Sequence, residues 1–137
     1  GIGLARVALI ADGIGGPAIE EELDHAVRTT LAVGVGGAQS LIYGSFGRME
    51  LLLSCQPFVT PELALQCRAA VPRLLHELDE HGWQLGERHF HPLGLMAGVT
   101  GIGYLALRAS FPEHVPSILA GASRPTSRTT AAQAYAA

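Results

Sequence analysis

Gly44-Ser45-Phe46-Gly47-Arg48-Met49-Glu50-Leu51-Leu52-Leu53 is the middle copy of a glycine-led apolar phrase that occurs three times. The first copy reads Gly1-Ile2-Gly3-Leu4-Ala5-Arg6-Val7-Ala8-Leu9, and the third Gly98-Val99-Thr100-Gly101-Ile102-Gly103-Tyr104-Leu105-Ala106-Leu107. Gly1, Gly47 and Gly101 mark intervals of 46 and 54 residues. Glycine at a helix opening lets another backbone come close, and a helix apolar on most sides requires burial. Repetition of such a unit predicts stacked helical hairpins, each covering a face of the next.

The segments between the copies complete the hairpins. The first helix is predicted over residues 2–11 and is broken by Gly13-Ile14-Gly15-Gly16-Pro17. Pro17 opens a second helix with Glu20, Glu21 and Glu22 toward the positive end of its dipole. Ile19, Leu23, Ala26, Val27 and Leu31 form its apolar stripe, and Gly34 to Gly37 ends it. After a link from Ala38 to Tyr43, a third helix is expected at about residues 45–54. Thr60, Pro61 and Glu62 give the fourth helix an N-cap, a first position and an acidic first turn. Its stripe is Leu63, Cys67, Val71, Leu74, Leu75 and Leu78. Pro72 inside it predicts a kink or a split, and Gly82 closes it. Residues 83–97 read as a loop, residues 99–110 as a fifth helix stopped by Pro112, and Val115–Leu119 as a segment that docks on the core. Strand signals are weak throughout. The expected fold is all-α: glycine-led inner helices alternating with amphipathic outer ones, as in part of an α/α toroid, over residues 1–120. Residues 121–137 are expected to be disordered.

Composition narrows the function. The 137 residues include only 15% charged side chains, and mean hydropathy is +0.29, so part of the surface expects a partner. No apolar run is long enough for a membrane span, and no basic leader with a cleavage site opens the chain, which makes the cytoplasm the expected location. A net charge of −3 without a basic stripe argues against nucleic acid as a partner. All nine basic residues are arginine. Two cysteines, Cys55 and Cys67, make no disulfide framework in such a chain.

Gly94-Leu95-Met96-Ala97-Gly98-Val99-Thr100-Gly101-Ile102-Gly103-Tyr104, then Leu107-Arg108 and Pro116-Ser117-Ile118-Leu119, closely resembles the C-terminal end of LanC-like cyclase domains. The best match is to the cyclase half of class II lanthipeptide synthetases. Gly1-Ile2-Gly3-Leu4-Ala5-Arg6 resembles the segment that follows the family's Trp-Cys-x-Gly-Ala-Pro motif. Thr29-Thr30-Leu31 through Gly37, Ser40-Leu41-Ile42-Tyr43-Gly44, Gly47 and Glu50-Leu51-Leu52-Leu53 is similar to Ser-Leu-Cys-His-Gly-Asp-x-Gly-Asn-x-Glu-Leu-Leu-Leu. The resemblance spans roughly residues 1–120, in order. It implies a zinc-dependent cyclase on an α/α toroid, which adds a peptide cysteine thiol to a dehydrated serine or threonine to form a thioether ring. In that family the metal presents the thiol as thiolate and a histidine handles protons on the acceptor side.

The departures are concentrated at the metal. The family's Cys-His ligand pair falls on Ile42 and Tyr43; isoleucine cannot ligate, and a phenol is a poor substitute for imidazole at zinc. The family's Asp and Asn fall on Ser45 and Arg48. Its remaining cysteine ligand and its acceptor-side histidine would lie upstream of Gly1. The expectation is no metal, no cofactor and no catalytic residue in this chain, which is read as a fragment, split product or relic of a cyclase, inactive alone. The competing expectation is a noncatalytic helical module that binds a peptide, completes another subunit or forms a homo-oligomer; in either case the partner is a precursor peptide or the rest of a synthetase.

Other polar groups carry weaker chemistry. His89-Phe90-His91 places two imidazoles on one side of an extended segment, but reads better as solvated histidines around a buried ring. Cys55, Cys67 and His76 match no compact zinc spacing, and buried structural cysteines fit better. His76, Glu77, Asp79, Glu80 and His81 read as a solvated helix end, and Trp83 and Phe90 as aromatic caps on the core. Gly34–Gly37 lacks the Lys-Ser/Thr of a phosphate loop, and no strand precedes Gly1-Ile2-Gly3 to make a dinucleotide site.

Overall fold

The computed structural model describes residues 1–34, 38–82 and 93–120. His89, His91, Phe90, Trp83 and the 121–137 tail lie outside the described residues. The chain is all-helical: α1 (Ile2–Ala11), α2 (Pro17–Val33), α3 (Ser45–Ser54), a 3-10 turn at Gln56–Phe58, α4 (Pro61–His81) and α5 (Val99–Ser110), with no strand among the described residues. The helix boundaries agree with those read from sequence because each is written in local chemistry. Pro17 and Pro61 stand in first turns, where a missing N–H is harmless. The Thr60 hydroxyl accepts from the Leu63 amide at 3.3 Å. Gly34 and Gly82 take φ values of +66° and +76° at the ends of α2 and α4, a region that favours glycine.

The helix α3 is the hub. It packs against α1, α2, α4 and α5, and Phe46, Met49, Glu50, Leu51 and Leu52 along it are all buried. Leu23 and Val27 of α2, Leu63, Cys67, Val71 and Leu74 of α4, and Leu105 of α5 close around it. Each such side chain, moved from water into this core, stabilises the fold by about 1.5–3 kcal/mol. Leu119 and Ala120, beyond α5, also pack against the cluster, as expected for a docking segment.

Two expectations need adjustment. The apolar character of all three glycine-led helices implies burial of all three, yet only α3 is enclosed. Ile2 in α1 is 70% exposed, and Val99 and Leu107 in α5 are exposed as well. The cause is position: α3 has helices around it, whereas α1 and α5 flank it. Pro72 does not split α4, which runs as one helix from Pro61 to His81. Pro72 and Arg68 both lie on the exposed side, so the carbonyl deprived of its i+4 donor can turn to water.

Candidate functional site

The repeated glycines build one kind of turn twice. A Cβ on Gly47 would stand 2.4 Å from the Leu41 carbonyl oxygen, and one on Gly101 2.3 Å from that of Leu95. At Gly44 it would meet the Ala38 carbonyl at 2.0 Å. In both copies the turn therefore folds back over the first turn of its helix, at a separation that only glycine permits. The Leu41 amide donates to the Met96 carbonyl at 2.9 Å, so the two turns lie side by side at the N-terminal ends of α3 and α5.

Beside the first turn opens a cleft of about 950 Å³, bounded by α1, α2, the 41–44 turn, the start of α3 and Leu119. Gly3, Leu4, Leu41 and Leu51 give it apolar walls; Arg6, Glu22, His25 and Arg48 give it polar ones. A Cβ at Gly3 would meet the Leu51 methyls at 2.7 and 2.9 Å, which shows how closely α1 lies on α3. Arg6 Nε donates to Glu22 Oε2 across α1 and α2, a half-exposed pair of modest energetic weight. Arg48 Nη1 donates to the Gly34 carbonyl at 2.8 Å, satisfying backbone at the end of α2.

Ile42 and Tyr43 sit on the lip of this cleft, 51% and 89% exposed. Ser45, at the start of α3, is buried with a hydroxyl that finds no hydrogen-bond partner among the described residues. Among the described residues, no three His, Cys, Asp or Glu side chains are grouped so as to hold a metal ion.

The polar centre of the molecule lies further along α3, where sequence reading assigned no role. Glu50 is fully buried and accepts from Ser54 Oγ at 3.2 Å and Arg108 Nε at 3.4 Å. Tyr104 Oη stands 3.2 Å from Glu50 Oε2 and 3.1 Å from the Pro116 carbonyl, and accepts the Ile118 amide at 3.1 Å. Arg108 Nη1 donates to the carbonyls of Pro112 and Val115 at 2.6 and 2.9 Å. The cluster joins α3 to α5 and pins the segment after α5. Desolvation, aided by the nearby Glu50 carboxylate, raises the Tyr104 phenol above its ordinary value of 10.0. One signal for the pair existed in the sequence: a lone acid inside Met-Glu-Leu-Leu-Leu and a lone base inside Ala-Leu-Arg-Ala.

The remaining candidates separate. Cys55 and Cys67 come together, Sγ to Sγ at 3.7 Å and both buried. His76 is elsewhere, exposed and paired with Glu80 at 3.3 Å. Asp79 and Glu80 are solvent-facing, as expected of a solvated helix end.

A LanC-like domain over residues 1–120 is what the resemblance implies, and the family comparison agrees. The model of the lanthionine synthetase C-like protein family matches residues 1–120. The chain belongs to that family. No curated protein and no solved structure matched it. The match takes in all five described helices and the residues that line the cleft. No helix among the described residues is long and apolar enough to cross a membrane.

Proposed function

We propose that this LanC-like chain contributes part of an α/α ring of the lanthipeptide cyclase type, and that its 41–44 turn holds no zinc. The family reaction joins a peptide cysteine thiol to a dehydrated residue, so the corresponding partner is a modified precursor peptide together with further LanC-like helices. The observation that carries the reading is Ile42-Tyr43 at the lip of the cleft, where the family resemblance requires Cys-His. Zinc selects sulfur and nitrogen donors in a tetrahedral set. A butyl side chain supplies none, and a largely solvated phenol offers only an oxygen. Ser45 and Arg48, at the Asp and Asn positions, are occupied with burial and with the Gly34 carbonyl. The donor set does not fit the metal, and no catalytic step is assigned to this chain by itself.

Metal analysis of purified, reduced protein tests this. Zinc well below one equivalent is expected; one equivalent lost on changing Ile42 and Tyr43 to alanine would prove the reading wrong.

The cleft supports a second reading, a noncatalytic module that binds peptide or a subunit. Its apolar walls and paired charges on the rim provide the usual ingredients of a binding site. Size-exclusion chromatography with light scattering distinguishes the two. A stable, monodisperse species favours the module, and concentration-dependent aggregation favours a set of helices that needs the rest of a ring.

A further inference from the structure

The two cysteines are twelve positions apart, one capping the C-terminus of α3 and the other midway along the first half of α4. The 3-10 turn at Gln56–Phe58 and the Thr60 cap reverse the chain between them, bringing the two sulfurs to 3.7 Å. Both side chains are wholly buried, and both are free thiols. A disulfide needs the sulfurs at about 2.05 Å, so closure requires an approach of under about 2 Å, within reach of χ1 rotation and a small shift of one helix end.

We propose that Cys55 and Cys67 form a reversible intramolecular disulfide that locks α3 onto α4 when the chain meets hydrogen peroxide. This rests on the pair alone and is independent of the cyclase reading. A thiolate attacks one peroxide oxygen, breaking the O–O bond and releasing water after protonation; the sulfur is oxidised to a sulfenic acid. The second thiol then displaces hydroxide from that sulfur, which leaves as a second water once the thiol proton is added. The net change is two thiols and one peroxide to one disulfide and two waters, a two-electron oxidation of the pair.

The hydrogen bond between the sulfurs, followed by burial, pushes the Cys55 thiol above its ordinary range, and the same bond draws Cys67 down. Either sulfur can donate that bond, so either can attack first while the other resolves the intermediate. Because both sulfurs are buried, the first step waits on local opening of the α3–α4 connection, and oxidation is slow relative to an exposed thiol.

Exposing the fully reduced chain, without denaturant, to a small excess of hydrogen peroxide tests the proposal. The expected product is a monomer lighter by two hydrogens, with no titratable thiol in denaturant, restored by dithiothreitol. Closing this short loop is expected to raise Tm by roughly 5–10 °C. Cys67→Ala must abolish the mass loss. Should that variant fold poorly, Cys55→Ala gives the same readout, and finding the two-hydrogen mass loss on the tryptic peptide 49–68 of the oxidised wild type, which holds both cysteines, needs no variant. Gain of oxygen at separate sulfurs, cross-linking between chains only, or unchanged thiols after prolonged exposure overturns the proposal.

Discussion

The start of α3 and its middle lie within six residues of each other and treat polar chemistry in opposite ways. At the start, the turn presents Ile42 and Tyr43 to solvent, and Ser45 is buried without a partner among the described residues. In the middle, Glu50 is as deeply buried as any residue and fully engaged by Ser54, Tyr104 and Arg108. Both regions fall in the stretch similar to the family's Cys-His-Gly-Asp-x-Gly-Asn-x-Glu-Leu-Leu-Leu motif. The chain matches that motif where its residues hold helices together and departs from it where they hold metal. Glycine and glutamate there serve architecture.

Breaking the middle is expected to have the largest effect. Glu50→Ala leaves Arg108 charged and nearly enclosed, which costs about 3–5 kcal/mol, measurable as a lowered urea midpoint. Arg108→Met retains the stem but leaves the fully buried Glu50 carboxylate without its cation, and is expected to cost a similar amount in the same assay. A loss from Glu50→Ala no larger than from an exposed acid such as Glu20 would dissolve the contrast between the two regions.

The turns come next. Gly47→Ala forces a methyl toward the Leu41 carbonyl, and Gly101→Ala toward that of Leu95. Each is expected to cost about 1–3 kcal/mol, because backbone rather than a mobile side chain must yield. Gly103→Ala, whose Cβ meets open space on the same helix, is the control and is expected to stabilise by about 0.5–1 kcal/mol.

A pH series sharpens the comparison further. The Tyr104 phenol ionises at a higher pH in the folded chain than in the unfolded one. Its contribution to stability is therefore complete below pH 10.0 and is lost as pH rises from there through the folded value. Urea midpoints at pH 9 and pH 11 are expected to fall in the wild type, and to fall less in Tyr104→Phe.

The smallest effect belongs to the start of α3. Ser45→Ala removes a hydroxyl that has no partner among the described residues, and is expected to be neutral or to stabilise by up to about 1 kcal/mol in the same denaturant assay. A loss of more than that would mean the hydroxyl is bonded in solution.

What the sequence made legible were features carried by neighbouring residues. Thr60-Pro61-Glu62, Gly34 and Gly82 state where helices begin and end, and the stripe through Leu63, Cys67, Val71 and Leu74 states which face is buried. What stayed hidden depends on distance in space. The Glu50–Arg108 pair joins residues 58 apart and depends on how α3 and α5 are set against each other. Cys55 and Cys67, set aside as a metal pair because of their spacing, meet because a three-residue 3-10 turn too short for any periodic signal reverses the chain between them. Arg48 reads as a substitution for the family's Asn, but its work at the Gly34 carbonyl is visible only in three dimensions.

The central claim is the proposal that the turn before α3, where the resemblance puts the family's Cys-His pair, holds no zinc. Titration of zinc into the ¹⁵N-labelled, reduced chain, followed on the backbone amides of Leu41 to Gly44, tests it directly. The account expects these resonances to stay in place through one equivalent of zinc. Saturable shifts confined to that turn and complete at one equivalent would contradict it.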